Sequence, residues 1–265
     1  MKILTYSLLA LLLLIFACKK TEETPQSTTN NACQIARVDD ESGYNVYEYD
    51  ASGNIVKNTT YDTKNTIQTI LLTDYVSGKL STIRYFVGNV STGKPDLTVT
   101  ATTDANGNVL TLAGAFILNT PTTTTFNYAN GRISGIAVSS GGLSGSSYRY
   151  EYDSKGNITK IFEKSTPSDP ELLTTEYTYD DKTNPGKNNL ALLAFIAIFG
   201  DISDIYSPNN TLTRKEYDSA GKVFASSTLT YTYNDKGFPI TVKQIFKQTG
   251  QTDEVSDVTI QYNCK

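Results

Sequence analysis

One nine-residue pattern constrains this chain more than any other feature. Tyr47-Glu48-Tyr49-Asp50-Ala51-Ser52-Gly53-Asn54-Ile55 recurs as Tyr150-Glu151-Tyr152-Asp153-Ser154-Lys155-Gly156-Asn157-Ile158. Looser copies run from Tyr217 to Val223 and from Tyr231 to Phe238, and Thr103 to Val109 keeps the turn without the Tyr. Tyr75 to Leu80 and Tyr128 to Ile133 are shortened forms, and Tyr177-Thr178-Tyr179-Asp180 has the strand end and then departs. Each copy has the logic of a β-hairpin. The incoming strand alternates, Asp or Asn hydrogen-bonds the turn that it opens, and the late Gly takes a positive φ. The turn glycines 53, 78, 107, 131 and 156 are spaced by 25, 29, 24 and 25 residues, a period that fits two strands and two turns. One such unit cannot bury its own apolar face, so the units must stack.

The alternation fixes the faces. Tyr148, Tyr150 and Tyr152 share one face of a strand, while Arg149 and Glu151 share the other. Likewise Leu229, Tyr231 and Tyr233 oppose Thr228, Thr230 and Thr232. The expected fold is all-β, an antiparallel meander of repeated hairpins with its Tyr face turned inward. About seven hairpins give on the order of fourteen strands, a sheet wide enough to curl strongly or close into a barrel. The Tyr rings serve as core packing, or some of them line a cavity and stack on sugars or other flat ligands.

Composition narrows the chemistry. The 265 residues include 18 Tyr and 10 Phe, enough aromatic surface for a core, but no His. That removes Ser-His-Asp and Cys-His nucleophiles and every His-ligated metal site. With 23 Lys and Arg against 27 Asp and Glu, nucleic acid is a poor partner. No phosphate-binding Gly-rich loop follows a strand and opens a helix, and no cofactor is expected. Asp39-Asp40-Glu41 lacks the spacing of a calcium loop. Glu48, Glu151 and Glu176 occupy equivalent repeat positions on the polar strand face, which suits a surface role better than catalysis.

The N-terminus carries an address. Lys2 is followed by an apolar run, Leu8 to Phe16, too short to span a bilayer and of the length of a signal-peptide core. It ends in Ile15-Phe16-Ala17-Cys18, which resembles the bacterial lipobox. The resemblance implies cleavage before Cys18, a diacylglycerol on its sulfur and an acylated amino group, a durable membrane anchor. The alternative is an ordinary secretory signal with an incidental Cys. Residues 1–17 are then the signal peptide, 18–32 a flexible polar tether, and 33–265 a single β domain. Lys19, Lys20, Thr21, Glu22 and Glu23 resemble the surface-export signal of Bacteroidetes lipoproteins, which favours the cell surface over a periplasm-facing position in the outer membrane. In an oxidising compartment the two remaining cysteines, Cys33 and Cys264, are expected to form one disulfide. Cys33 precedes the first ordered segment and Cys264 closely follows the last strand, so the bond would clasp the seam of a closed sheet.

The repeat is similar to the YD repeat of RHS-type proteins, in which long runs of strands curl into a shell. With the lipobox, the few copies and Tyr179-Asp180-Asp181-Lys182-Thr183-Asn184-Pro185, the chain resembles a Bacteroidetes lipoprotein family of unknown function. That resemblance covers roughly Val46 to Tyr262 and implies a porin-like β fold. It implies nothing about activity. Asp218-Ser219-Ala220, at an expected hairpin tip, resembles the short O-glycosylation motif of Bacteroidetes exported proteins.

Asn188 to Gly200 breaks the repeat with an apolar run, Leu190 to Phe199, after the turn signal Asn184-Pro185-Gly186. It reads as a short helical or apolar insertion that plugs one opening of the shell, or as a docking patch for a lipid or partner protein. Residues 188–216 read as an insertion between hairpins. A membrane-spanning barrel is disfavoured, because many strands present Lys, Glu or Thr where a lipid band needs apolar residues. The leading functional expectation is a lipid-anchored binding or scaffold module of the cell envelope, with a glycan or protein ligand and no catalysis. A purely structural role follows, and a carboxylate-dependent enzyme acting on polysaccharide comes last; two convergent acids at a pocket floor would favour it.

Overall fold

The computed structural model describes residues 33–88, 93–117, 120–187, 189, 190, 192, 193, 197 and 201–264. The expected signal peptide (1–17), Cys18 and the expected tether (18–32) lie outside them. Sixteen strands follow one another in chain order. They are β1 (Gln34–Asp40), β2 (Gly43–Tyr49), β3 (Ile55–Asp62), β4 (Ile67–Val76), β5 (Lys79–Val87), β6 (Leu97–Thr103), β7 (Val109–Ile117) and β8 (Thr120–Ala129). The second half holds β9 (Arg132–Ser140), β10 (Leu143–Tyr152), β11 (Ile158–Lys164), β12 (Leu172–Thr183), β13 (Asn209–Tyr217), β14 (Val223–Tyr233), β15 (Pro239–Gln248) and β16 (Glu254–Asn263). A four-residue helix, α1 (Ser203–Tyr206), lies between β12 and β13.

Every strand pairs antiparallel with its chain neighbours, and β1 pairs with β16, so the sheet is a closed barrel. Closure leaves no unpaired edge. The expected count of about fourteen strands was low. Seven terminal-rim turns account for β2 to β15, whereas β1 and β16, which meet at the seam, are joined by no repeat turn. The even number brings the start of β1 and the end of β16 to one rim, here called the terminal rim. There Cys33 and Cys264 form a disulfide with their Cα atoms 4.1 Å apart, next to the Gln34–Asn263 pair.

The repeat turns do not scatter around the barrel. Those after β2, β4, β6, β8, β10 and β14 all lie on the terminal rim, because each closes an even-to-odd strand pair. The copy at 217–223 is the exception. It joins β13 to β14 on the opposite, distal rim. The β12–β13 connection also belongs to the terminal rim and is the long one, residues 184–208. It is shorter than the insertion expected from sequence, since residues 209–216 are strand paired to both β12 and β14.

The turns are built as their residues dictate. Asp50 Oδ1 accepts the backbone N–H groups of Ser52 and Asn54 at 2.9 Å each, and Asn54 Nδ2 donates to Asp50 Oδ2. Asp104 and Asp153 repeat the arrangement with Asn108 and Asn157, and Asn234 replaces the carboxylate in the β14–β15 turn. Gly53, Gly107 and Gly156 sit at φ +88°, +88° and +96°, a region closed to most side chains.

Cross-strand partners share a face, so the register sorts inside from outside. Ile83, Val99, Leu112, Ile136, Tyr150, Ile161 and Tyr177 point into the lumen and are buried together. Leu193, Ala197, Ile202 and Ile205 from the long connection join the same cluster. The described residues of this connection therefore pack into the lumen near the terminal rim. The remaining arc of the lumen is polar, with Asn45 and Thr60 hydrogen-bonded at 2.7 Å and Gln244 donating to Ser227 at 3.0 Å.

The outer wall carries ion pairs and Thr pairs, with exposed apolar side chains such as Leu110 and Val255 among them. Lys57 meets Glu48 at 2.8 Å, Arg84 meets Asp74 at 2.8 Å, and Lys160 meets Glu176 at 3.6 Å. Thr pairs bridge strands at 102–111, 178–213 and 232–241, each at 2.6 Å. Among the described residues no helix is long and apolar enough to cross a membrane.

Candidate functional site

Inward-facing Tyr residues form two groups with different work, while Tyr44 and Tyr61 stack on the outside at 4.6 Å. The first is a belt at the terminal rim. Near the end of an even-numbered strand, a Tyr donates its hydroxyl to a carbonyl at the start of the preceding odd-numbered strand. Tyr49 bonds Ile35 at 2.8 Å, Tyr128 bonds Val109 at 2.9 Å, Tyr152 bonds Ile133 at 2.6 Å and Tyr179 bonds Ile158 at 2.6 Å. Tyr75, Tyr231 and Tyr262 continue it on Ile55, Thr211 and Pro239. Only β6 lacks the donor, because Thr103 stands in the Tyr position. Beside that turn a cavity of about 230 Å³ opens between Asn108, Tyr128, Leu193 and Tyr206. Burial raises these phenols: Tyr75 is pushed up to about 12, first by desolvation and then by Asp50. The belt Tyr are structural and neutral at physiological pH.

The second group faces a cleft in the lumen above the plug. Tyr148, Glu163, Asp201, Arg214, Glu216 and Phe224 line a cavity of about 270 Å³. Register places Arg214 opposite Tyr177 and Glu216 opposite Thr175, both lumen-facing, and Glu163 opposite Tyr148. Arg214 Nη2 lies 3.3 Å from Asp201 Oδ2, and its Nε lies 3.4 Å from Glu216 Oε1. Asp201 also accepts the Tyr177 hydroxyl and, through Oδ1, the Ser203 hydroxyl at 2.7 Å. The Tyr177 phenol is held far above its ordinary value, first by desolvation and then by Asp201, so it stays a donor. Burial, and next the Glu163 charge, raises Tyr148. The cleft thus gathers three carboxylates, one guanidinium and aromatic faces. It suits a neutral polyhydroxylated or cationic group better than an anion.

Of this cleft the sequence indicates only Tyr148, on the inward Tyr face, and none of its charged residues. Leu212, Arg214 and Glu216 share a strand parity, and a charge pair at apolar-face positions was the available signal. The signal is masked because residues 188–216 read from sequence as an insertion between hairpins. Glu48, Glu151 and Glu176 do lie outside, paired with Lys57, Arg149 and Lys160. The Asp39–Glu41 acids do not converge either: Asp39 binds Arg37, and Asp40 Oδ1 caps Ser42 and Gly43 in the β1–β2 turn. Among the described residues no group of three or more His, Cys, Asp or Glu is placed to hold a metal ion. Asp218, Ser219 and Ala220 are exposed at a hairpin tip on the distal rim. The Cys18 site lies outside the described residues.

Comparison with known proteins reports on the shell. No protein-family model matches the chain, and no curated protein matches it. A porin-like protein from Bacteroides uniformis ATCC 8492 is similar in structure, with a TM-score of 0.62 at 15% identity over 86% of this chain and 98% of that one. The chain shares that protein's fold. A porin-like protein from Bacteroides vulgatus ATCC 8482 aligns at a TM-score of 0.49 and 13% identity, over 88% of this chain and 99% of that one. A TcdB2-TccC3-Cdc42 structure aligns at 0.30 and 12% identity, with 85% of this chain covering 15% of that one.

The porin-like fold here has its wall chemistry reversed. A barrel that crosses a bilayer presents an apolar band outward and water inward. This barrel presents ion pairs and Thr ladders outward and packs Ile, Leu and Tyr against a plug inside.

Proposed function

We propose that the protein is a cell-envelope barrel, lipid-anchored through Cys18, that stands in water and binds a glycan or protein ligand without catalysing a reaction. The carrying observation is the charged outer wall around a plugged lumen. Such a barrel can neither lie in hydrocarbon nor conduct solute, so a membrane role needs the separate anchor that Ala17-Cys18 would supply. The tether leaves the barrel at the terminal rim, where Cys33 sits. The lumenal cleft, open toward the distal rim, is the region we assign to ligand. Its aromatic faces would stack on a sugar ring, and its carboxylates and guanidinium would take the hydroxyls.

The anchor is tested by metabolic labelling with an alkyne fatty acid. Label should enter the wild type and be absent from Cys18→Ser. Protease shaving of intact cells then separates the surface from the periplasmic side. Loss of the barrel with an internal control retained supports surface display, whereas protection until permeabilisation overturns it. Ligand binding is tested on glycan arrays, where Arg214→Ala should abolish any signal.

A carboxylate-dependent hydrolase is the second reading, because Glu163, Asp201 and Glu216 share one cleft. Against it, Asp201 and Glu216 both engage Arg214, leaving neither free as an acid or base. Turnover of any polysaccharide that is lost in Glu163→Gln would favour it.

A further inference from the structure

The terminal rim carries a second pocket, of opposite charge. Arg132 from the β8–β9 turn, Lys155 from the β10–β11 turn and Lys187 from the β12–β13 connection surround a space of about 220 Å³, floored by Gly131, Gly156 and Tyr206. No carboxylate lines it. None of the three cations takes part in an ion pair among the described residues; Arg132 lies over the Tyr152 ring at 5.6 Å. The surroundings explain why the positive charge stays unspent. Asp153, in the same turn as Lys155, gives its carboxylate to Asn157. Asp181 is bound by Lys182 at 3.1 Å, and only secondarily feels Lys155. Asp180 accepts from Asn210 and Tyr233. Close approach needs small residues here, and a Cβ on Gly156 would stand 3.2 Å from Arg132 Nη2. The whole chain is nonetheless acidic, at a formal charge of −4, so a free three-cation pocket is a local exception rather than a spread-out basic surface.

We propose that this pocket is an anion site that takes the phosphate group of an anionic lipid headgroup. A tetrahedral phosphate suits a space ringed by one forked guanidinium and two ammonium groups. The lipid source follows from position: the pocket lies on the same rim as Cys33 and Cys264, across the ring from that seam, and the chain leading back to Cys18 joins the barrel at this rim. This choice of source rests on the anchored reading above. Headgroup contact would pin the rim to the membrane and aim the distal rim, with the lumenal cleft, away from it.

The test uses the processed chain from residue 18 carrying Cys18→Ser, so that no acyl chain contributes. Co-flotation is measured with phosphatidylglycerol vesicles, with phosphatidylcholine vesicles as the neutral control. Binding to the anionic vesicles is expected, weakening with salt. Each neutralised cation should weaken it about fivefold, and Arg132→Ala, Lys155→Ala and Lys187→Ala together about a hundredfold. A charge-matched triple on the outer wall and distal turn, Lys215→Ala, Lys222→Ala and Lys243→Ala, should retain it. Equal loss in both triples, or equal binding to both vesicles, overturns the site. Saturable calorimetric binding of inorganic phosphate without vesicle binding overturns the lipid source. Failure of the Cys18 label leaves this measurement intact, so the two readings fail separately.

Discussion

Ser207 and Tyr179 close a hydrogen-bonded ring around one residue, Ile158. The Ile158 N–H donates to Ser207 Oγ at 3.1 Å, Ser207 Oγ donates to the Tyr179 hydroxyl at 3.1 Å, and that hydroxyl donates to the Ile158 carbonyl at 2.6 Å. The same logic holds one repeat earlier, where Tyr206 accepts the Ile133 N–H and Tyr152 donates to the Ile133 carbonyl. Both backbone groups of each strand start are satisfied by side chains, one from the belt and one from the plug. The plug is thereby locked to the barrel by polar contacts as well as by apolar ones.

Ser207→Ala should therefore cost more than a surface Ser. It leaves the buried Ile158 N–H without an acceptor, a loss of about 1–3 kcal/mol. Urea unfolding of the variant should show a lower midpoint with an unchanged slope. Ser219→Ala, at the exposed hairpin tip, should move neither.

Removing apolar contact from the plug should weaken the whole barrel. Ile202 is fully buried against wall residues, so Ile202→Ala should cost about 2–5 kcal/mol. A midpoint within error of wild type would mean that the barrel stands without its plug.

The seam disulfide spans 231 residues of sequence, so its loss releases a large loop in the unfolded chain. Reduction, or Cys33→Ser with Cys264→Ser, should lower stability by up to about 5 kcal/mol. Thermal unfolding with and without reductant reads this directly. The β1–β16 ladder should still close the barrel in the reduced protein, leaving its circular dichroism unchanged at room temperature.

Acid should loosen the terminal rim first. The Asp104 carboxyl lies below the ordinary range because the Asn108 side chain and then turn N–H groups bond it. At Asp153 burial works the other way, but Asn157 and the turn N–H groups outweigh it and the pKa is again lowered. A depressed folded pKa gives stability that is full above the unfolded value, about 3.9, and fades as pH falls through the folded one. Melting temperature should thus hold from neutral pH to about 5 on this account and drop below about 4. Asp153→Asn, which copies the natural Asn234 turn, should shrink the part of that drop due to this turn.

Much of the barrel was legible beforehand because its information is local. Tyr-x-Tyr-Asp followed by a late Gly specifies a strand end, a turn and a positive φ within nine residues, and strict alternation specifies two faces. Those statements need no knowledge of distant chain, and Leu229, Tyr231 and Tyr233 do face inward against outward Thr228, Thr230 and Thr232. The Cys33–Cys264 bond was expected from the two cysteines left once Cys18 is set aside, and the even antiparallel meander brings them to one rim.

What the sequence could not decide was everything that depends on closure. Sixteen strands rather than about fourteen, one rim carrying almost all repeat turns, and a seam between β1 and β16 all follow from pairing around the whole ring. Only closure brings Glu163, Asp201, Arg214 and Glu216 into one cleft, and Arg132, Lys155 and Lys187 into one pocket. These groups lie far apart in the chain and share no local pattern. A strand's own residues determine which side a side chain takes; which residues it meets there is decided by strands dozens of positions away.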